Sequence, residues 1–371
     1  MLITLVDVMC RRLLALLQSA LWNKPLDSDL FAGMEEEDWH KLYRTAVEHG
    51  VMALAFDGLM QEQAKFTLPR KLKLMWAANV ETLEQRYNRQ RAVAAELTAM
   101  LRSEDIPMLL FKGLALAALY PIPQHREFGD LDIYLFGQYR KGEQCMIKHG
   151  VQKGKRPNIE KHSSLCYKGV PLENHRCFFN EQSLKSIRHL EHCLQECLKQ
   201  EVSLLQSSPQ LLYPPADFHA LFLICHALNH FTRCINLRYL CDWTVFLTAN
   251  SGKINVASYR AALSEAGWLK AADALTAITV ELFNLDSEVA LMCQRDAVLE
   301  EKMLTDLLHA PREPESSSAW AKIKFYCWRM KNERWKHELL YPGYYGYKLW
   351  HAFLFRLRHP VSFFTQLFSN A

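Results

Sequence analysis

The chain contains no CxxC pair, although 11 cysteines are scattered through its 371 residues. Dispersed thiols in a chain of this length read as reduced, intracellular and mostly buried, not as a disulfide framework. No apolar run is long enough to span a membrane, and no internal repeat is present. Charge of one sign is also scarce: the formal net charge of +4 is too small to imply nucleic acid as a partner. The opening segment MLITLVDVMCRRLLALLQSALW lacks the uninterrupted apolar stretch and cleavage site of a signal peptide. Asp7, Arg11 and Arg12 break it, so it reads as an amphipathic helix.

Apolar residues are plentiful, at half of the chain, and the length suggests two or three units. Residues 1–105 have helical spacing throughout. EEEDWHKLYRTAVEHGVMALAFDGLM has an acidic first turn and a break at Gly50. PRKLKLMWAANVETLEQRYNRQRAVAAELTAMLRSED reads as one long helix or two, with Pro69 near its start. The character changes over residues 106–182. IPMLLFKG is a short apolar run ending at Gly113 and reads as a buried strand. LALAALY supplies about two helical turns, closed by Pro121 and Pro123. DLDIYLF reads as a second strand and QYRKGEQCMIKHG as a helix stopped by Gly150. SSLCYKGVPLENHRCFF reads as a third extended segment, which Pro171 demotes to an edge or bulged strand. Helical spacing returns over residues 183–310, in PPADFHALFLICHALNH, INLRYLCDWTVFL and VASYRAALSEAGWLKAADALTAITVELFNL. PREPESSS (311–318) is a linker candidate, and residues 319–371 form a basic, aromatic tail.

The central zone carries the chemistry. Asp130 and Asp132, in EFGDLDIYLF, stand two residues apart in a predicted strand, so their side chains share a face about 6–7 Å apart. Bare carboxylates at that separation repel by roughly 2–3 kcal/mol at an effective dielectric near 20. A divalent cation reverses the sign, and a hard ion such as magnesium takes oxygen ligands from one or two carboxylates plus substrate phosphates. The competing explanation is that one acid caps a turn after Gly129 while the other faces water. Neighbouring residues favour the metal. Lys112–Gly113 ends one strand and opens a helix, where backbone N–H groups and the lysine suit a phosphate. Arg126 can neutralise phosphate charge. Glu173 and His175 alternate onto one face of the third segment, with Glu173 as a third ligand or a base. Glu127 and Glu160 are its rivals.

FKGLALAALYPIPQHREFGDLDIYLF resembles the uncharacterised nucleotidyltransferase family of the polymerase-beta-like superfamily. The shared features are a Lys-Gly after a strand, an Arg, and Gly-Asp-x-Asp followed by apolar residues. NIEKHSSLCYKGVPLENHRCFF is similar to the family's later segment, in which an acid stands two residues before a His. LYRTAVEHGVMALAFDGL and NLRYLCDWTVFL resemble its flanking helices, so the resemblance covers about residues 35–250. It implies an α+β fold, a small mixed β-sheet flanked by N- and C-terminal helical regions. It implies a cytoplasmic nucleotidyltransferase that moves a nucleoside monophosphate from a nucleoside triphosphate to a hydroxyl of an unidentified acceptor. Magnesium or manganese would be held by Asp130, Asp132 and Glu173. The nucleotide would meet Lys112, Gly113, Arg126, Gly129, His162 and His175. The alternative is a non-catalytic nucleotide-binding or scaffold protein that keeps the fold. The wider superfamily has Gly-Ser where this chain has Lys112–Gly113, and Arg176 stands where the family often has an aromatic residue.

Three further patterns stand out in the sequence. His189, His192, Cys193 and Cys197 lie at helical spacing, and a zinc site would need a second pair such as His226 and His230. Ordinary helix positions are the simpler explanation. Asp242 is expected to pair with Arg238, four residues earlier. The segment 320–371 holds nine Lys or Arg, two acids and fifteen aromatics. It reads either as a helical cap or as a segment lying on an anionic surface, peripheral to the inner membrane. An acidic polymer is an alternative ligand for it.

Overall fold

The computed structural model describes residues 2, 6–61, 68–154, 161–180, 182–199, 211–309, 324–325, 328–329 and 331–346. Helix α1 (Val8–Trp22) starts where the Asp7 carboxylate accepts the Cys10 amide at 2.8 Å, so the acid that interrupts the apolar opening is an N-cap. α2 (Glu36–Glu48) and α3 (Met52–Gln61) follow. At Gly58 in α3 a Cβ would lie 2.1 Å from the Leu16 carbonyl oxygen of α1, an approach open only to a residue without a side chain. Gly58→Ala should therefore lower stability by about 1–3 kcal/mol. Denaturant melts check this: the midpoint should fall at unchanged slope. An unmoved midpoint would show that the two helices separate without cost. The stretch after Pro69 forms one helix, α4 (Arg70–Arg102).

The fold is α+β. Its sheet contains β1 (Leu109–Phe111), β2 (Leu131–Tyr134), β3 (Gln152–Lys153), β4 (His162–Tyr167) and β5 (Val170–His175), in the order β1-β2-β5-β4-β3. β2 and β5 run parallel; the other neighbours are antiparallel. The expected third extended segment is in fact a hairpin. Lys168 and Gly169 both adopt positive φ, 49° and 78°, which joins β4 to β5 in two residues. Pro171 does not place β5 at an edge, since β5 lies between β2 and β4. Pairing with β2 begins only at Leu172, so the proline sits where β5 has a partner on the β4 side alone. That position tolerates a missing N–H.

Alternation divides the strands between two cores. Leu110, Leu131, Ile133, Leu165 and Leu172 face Val93, Ala94, Leu97 and Leu101 of α4, and Met146 of α6 (Tyr139–Lys148). The opposite face carries Leu109, Phe111 and Tyr134, which join a core shared by the N-terminal helices and the C-terminal ones. The C-terminal helices are α7 (Lys185–Lys199), α8 (Ala216–Phe231), α9 (Leu237–Asn250), α10 (Val256–Glu265), α11 (Leu269–Phe283) and α12 (Ala297–His309). Between β1 and β2 lies the short α5 (Gly113–Ala117).

The linker candidate 311–318 and residues 347–371 lie outside the described residues. Within the described part of the tail, α13 (Arg334–Leu340) packs as a cap. Trp335 sits edge-on to Phe231 at 5.5 Å, and the Leu340 carbonyl accepts the Trp268 indole N–H at 2.9 Å. Lys336 is fully buried, with its ammonium 2.8 Å from Asp306 and 3.4 Å from Glu333. No helix among the described residues is long and apolar enough to cross a membrane.

Candidate active site

Strand register assembles the site. Asp132 of β2 and Glu173 of β5 are direct partners on neighbouring parallel strands, so both side chains leave the same sheet face. His175, two residues after Glu173, shares that face, and His162 of β4 is its antiparallel partner. Asp130 stands in a bend just before β2, not on the strand. All three acids nevertheless line one cavity of about 280 Å³, together with Lys112, Gly113, Arg126 and Gly129. His162 and His175 stand behind the acids, 5% and 1% exposed, and do not line it.

Asp132 and Glu173 are each held by basic side chains. Asp132 is buried, and its Oδ1 lies 2.6 Å from the Lys112 ammonium and 2.9 Å from His175 Nε2. A carboxylate only accepts, so His175 carries its proton on Nε2 at this contact. Burial works against the Asp132 charge, but Lys112 and His175 outweigh it and hold the carboxyl well below the usual range. Burial likewise opposes the Lys112 charge, and Asp132, Asp130 and Glu173 together raise it above its ordinary value. Glu173 Oε2 lies 3.2 Å from His162 Nε2 and 3.5 Å from His175 Nε2. Desolvation pushes the His162 imidazole down to about 4, so it is neutral, and its buried Nδ1 has no partner among the described residues.

The turn that delivers Lys112 is strained. Its φ of 60° and ψ of −137° belong to a region that side-chain-bearing residues rarely enter, at a cost of about 1–3 kcal/mol. The bond to Asp132 anchors it there. At Gly113 a Cβ would come within 3.1 Å of the Phe128 ring and 3.5 Å of the Asp130 carbonyl, so the glycine lets α5 approach the acids closely.

Arg126 lines the cavity, but its guanidinium is bound by Asp242. Nε donates to Oδ1 at 3.0 Å and Nη2 to Oδ2 at 2.7 Å, while the Tyr120 hydroxyl donates to Oδ1 at 2.7 Å. This corrects the expected pairing of Asp242 with Arg238. Arg238 donates instead to the Glu127 carbonyl at 3.1 Å. The Glu127 carboxylate is engaged elsewhere, accepting the Met52 amide at 3.0 Å, and Glu160 lies outside the described residues.

The opposite wall of the cavity comes from α8 and α9, through His226, His230, Arg238, Tyr239, Asp242 and Trp243; Lys161 closes one end. Sequence reasoning missed Lys161, Arg238 and Tyr239 as cavity residues. The spacing of His226 and His230 does place both on one helix face, but it does not say which face meets the acids. Their rings lie 4.5 Å apart. His189 and Cys193 of the considered zinc set contact each other at 3.6 Å. Among the described residues, the one group of three with metal-ligating atoms within 4.8 Å of one another is Asp132, Glu173 and His175. The Asp132 and Glu173 oxygens at the floor of the charged cavity suit a hard divalent cation, while His175, whose Nε2 proton is donated to Asp132, stands behind them.

The sequence model of a family described as "Uncharacterised nucleotidyltransferase" matches residues 35–284, more than half of the chain. The match spans α2 to α11 and so takes in the whole sheet and both cavity walls. No curated protein and no solved structure matches the chain. With the paired acids of β2 and β5 at the floor of its cavity, the chain belongs to the uncharacterised nucleotidyltransferase family.

Proposed function

We propose that the protein transfers a nucleoside monophosphate from a nucleoside triphosphate to an acceptor hydroxyl, using a divalent cation held by Asp130, Asp132 and Glu173. The observation that carries this is the Asp132–Glu173 register pair facing a cavity that Asp130 also lines. Bound there, magnesium or manganese would supply charge stabilisation for the attacking and leaving oxygens. The remaining roles fall to the chain itself. His175 orients Asp132 and His162 orients Glu173, as outer partners of ligands commonly do. Lys112 balances the acids before substrate arrives and stands beside the turn over which the triphosphate would lie. Gly129 leaves the backbone open to it, since a Cβ there would touch nothing within 4 Å, while Gly113 lets α5 pack close to Phe128 and Asp130.

Thermal unfolding with each nucleoside triphosphate, with and without magnesium, tests this. A ligand at 100 times its Kd stabilises by about 2.7 kcal/mol. The expected result is a rise in Tm that requires both magnesium and triphosphate. No rise with any triphosphate, or an equal rise in chelator, would overturn the proposal.

A further inference from the structure

We propose that Lys161, His226, His230 and Arg238 form a subsite for the pyrophosphate portion of the nucleotide, the part that leaves. The inference rests on the nucleotidyltransferase reading of the cavity and adds a role for its helical wall. In the reaction a bond forms between the acceptor oxygen and the α-phosphorus. The bond from that phosphorus to the bridging oxygen breaks, and pyrophosphate departs with the electron pair.

Two of the four cations in the cavity are already matched, Arg126 by Asp242 and Lys112 by Asp132. Lys161 is not. Its backbone is pinned, the N–H donating to Asn180 Oδ1 at 3.3 Å and the carbonyl accepting the Arg176 amide at 2.8 Å. Its ammonium makes no hydrogen bond or ion pair among the described residues; burial and Lys112 work against its charge, while Asp132, Glu173 and Asp130 support it. Arg238 spends one nitrogen on the Glu127 carbonyl, and its buried Nε has no partner among the described residues. The ring nitrogens of His226 and His230 have no hydrogen-bond partner there either. Burial, reinforced by Lys112 and Lys161, keeps both imidazoles neutral, His230 down to about 4. Each neutral ring therefore offers one N–H.

These groups converge, because all four line the same cavity and the two imidazole rings lie 4.5 Å apart. The acid on this wall, Asp242, is consumed by Arg126. Two cations and two N–H donors with no carboxylate in ion-pair contact among the described residues call for an anion rich in oxygens; the acids that act on Lys161 from the same cavity, Asp132, Glu173 and Asp130, are those assigned to the cation. A single carboxylate, with two oxygens, meets four separated donors poorly; a diphosphate meets them readily. With the α-phosphate over Asp130, Asp132 and Glu173, the helical wall is where the leaving charge develops.

Calorimetric titration of the full chain with inorganic pyrophosphate, in chelator and in magnesium, tests the assignment. Wild type should bind. Lys161→Ala and the double variant His226→Gln/His230→Gln should each bind at least tenfold more weakly, and Lys161→Arg should keep most of the affinity. Nucleoside monophosphate, which lacks the leaving portion, should bind all of them within about twofold of wild type. Wild type that ignores pyrophosphate, variants that keep its affinity, or equal loss for pyrophosphate and monophosphate would overturn the inference. The broader function fails separately, in the magnesium-dependent melts and their dependence on Asp132. A protein that passes those melts while its variants keep pyrophosphate affinity loses this inference alone.

Discussion

Asp132→Asn should lower stability in chelator by about 3 kcal/mol, the scale of breaking a buried ion pair, and should also abolish the response to magnesium and triphosphate. Both effects follow from what touches its carboxylate. Lys112 and His175 converge on Oδ1 at 2.6 and 2.9 Å, and an amide removes the charge that compensates them. From sequence alone the opposite sign is expected, because two neighbouring acids repel and loss of one should relieve roughly 2–3 kcal/mol. The structure reverses that sign: the acids lie among bases, and Asp130 stands off the strand. The pH dependence has a matching direction. Asp132 titrates lower when folded than when unfolded, so its contribution is complete above the unfolded value of about 3.9 and is lost only as acid lowers the pH through the folded one. Transfer activity should fall at least about 100-fold, since partners standing behind a metal ligand alone account for 10–100-fold. His175→Ala should fall within that smaller range. A variant that melts like wild type in chelator would mean that Lys112 and His175 do not depend on Asp132.

Arg126→Ala should be the most destabilising single substitution in the cavity, by about 3–5 kcal/mol. It strands Asp242, 5% exposed, together with the Tyr120 hydroxyl that shares it. Asp242→Ala should cost a similar amount. The double variant Arg126→Met/Asp242→Leu should recover most of the loss, because apolar side chains of similar volume replace a buried pair at little cost. Urea melts of the three variants measure this directly. If Arg126 instead met phosphate, Arg126→Ala would melt near wild type and lose only triphosphate affinity.

Local features of the fold were legible because their causes are local. The strand of β1, the Lys112–Gly113 turn, the stop at Gly150 and the apolar periodicity of α4 and α8 each depend on a few adjacent residues. Asp132 was legible too, since it lies in an apolar strand where a charge demands a reason, whereas Glu173 stands in the mixed sequence VPLENH and was marked only by its alternation with His175. Pairings across the chain were not. Periodicity offers Asp242 a partner four residues away, but its partner is 116 residues away, brought close by α9 crossing the cavity. The β4–β5 hairpin was hidden because Lys168 holds a positive φ that its side chain does not advertise. Lys161 and Arg238 gave no signal, for an isolated basic residue becomes a site only when the fold leaves it without a carboxylate.

The α-phosphorus decides the central question. The protein is incubated with magnesium, a metabolite extract, and nucleoside triphosphates labelled at the α or the γ position, and the label is followed by mass spectrometry. Wild type should add the mass of a nucleoside monophosphate, carrying the α label, to an acceptor and release the γ label in pyrophosphate; Asp132→Asn should do neither. Transfer of the γ label to the acceptor, or α-label transfer by Asp132→Asn at the wild-type rate, would contradict nucleotidyl transfer at this site.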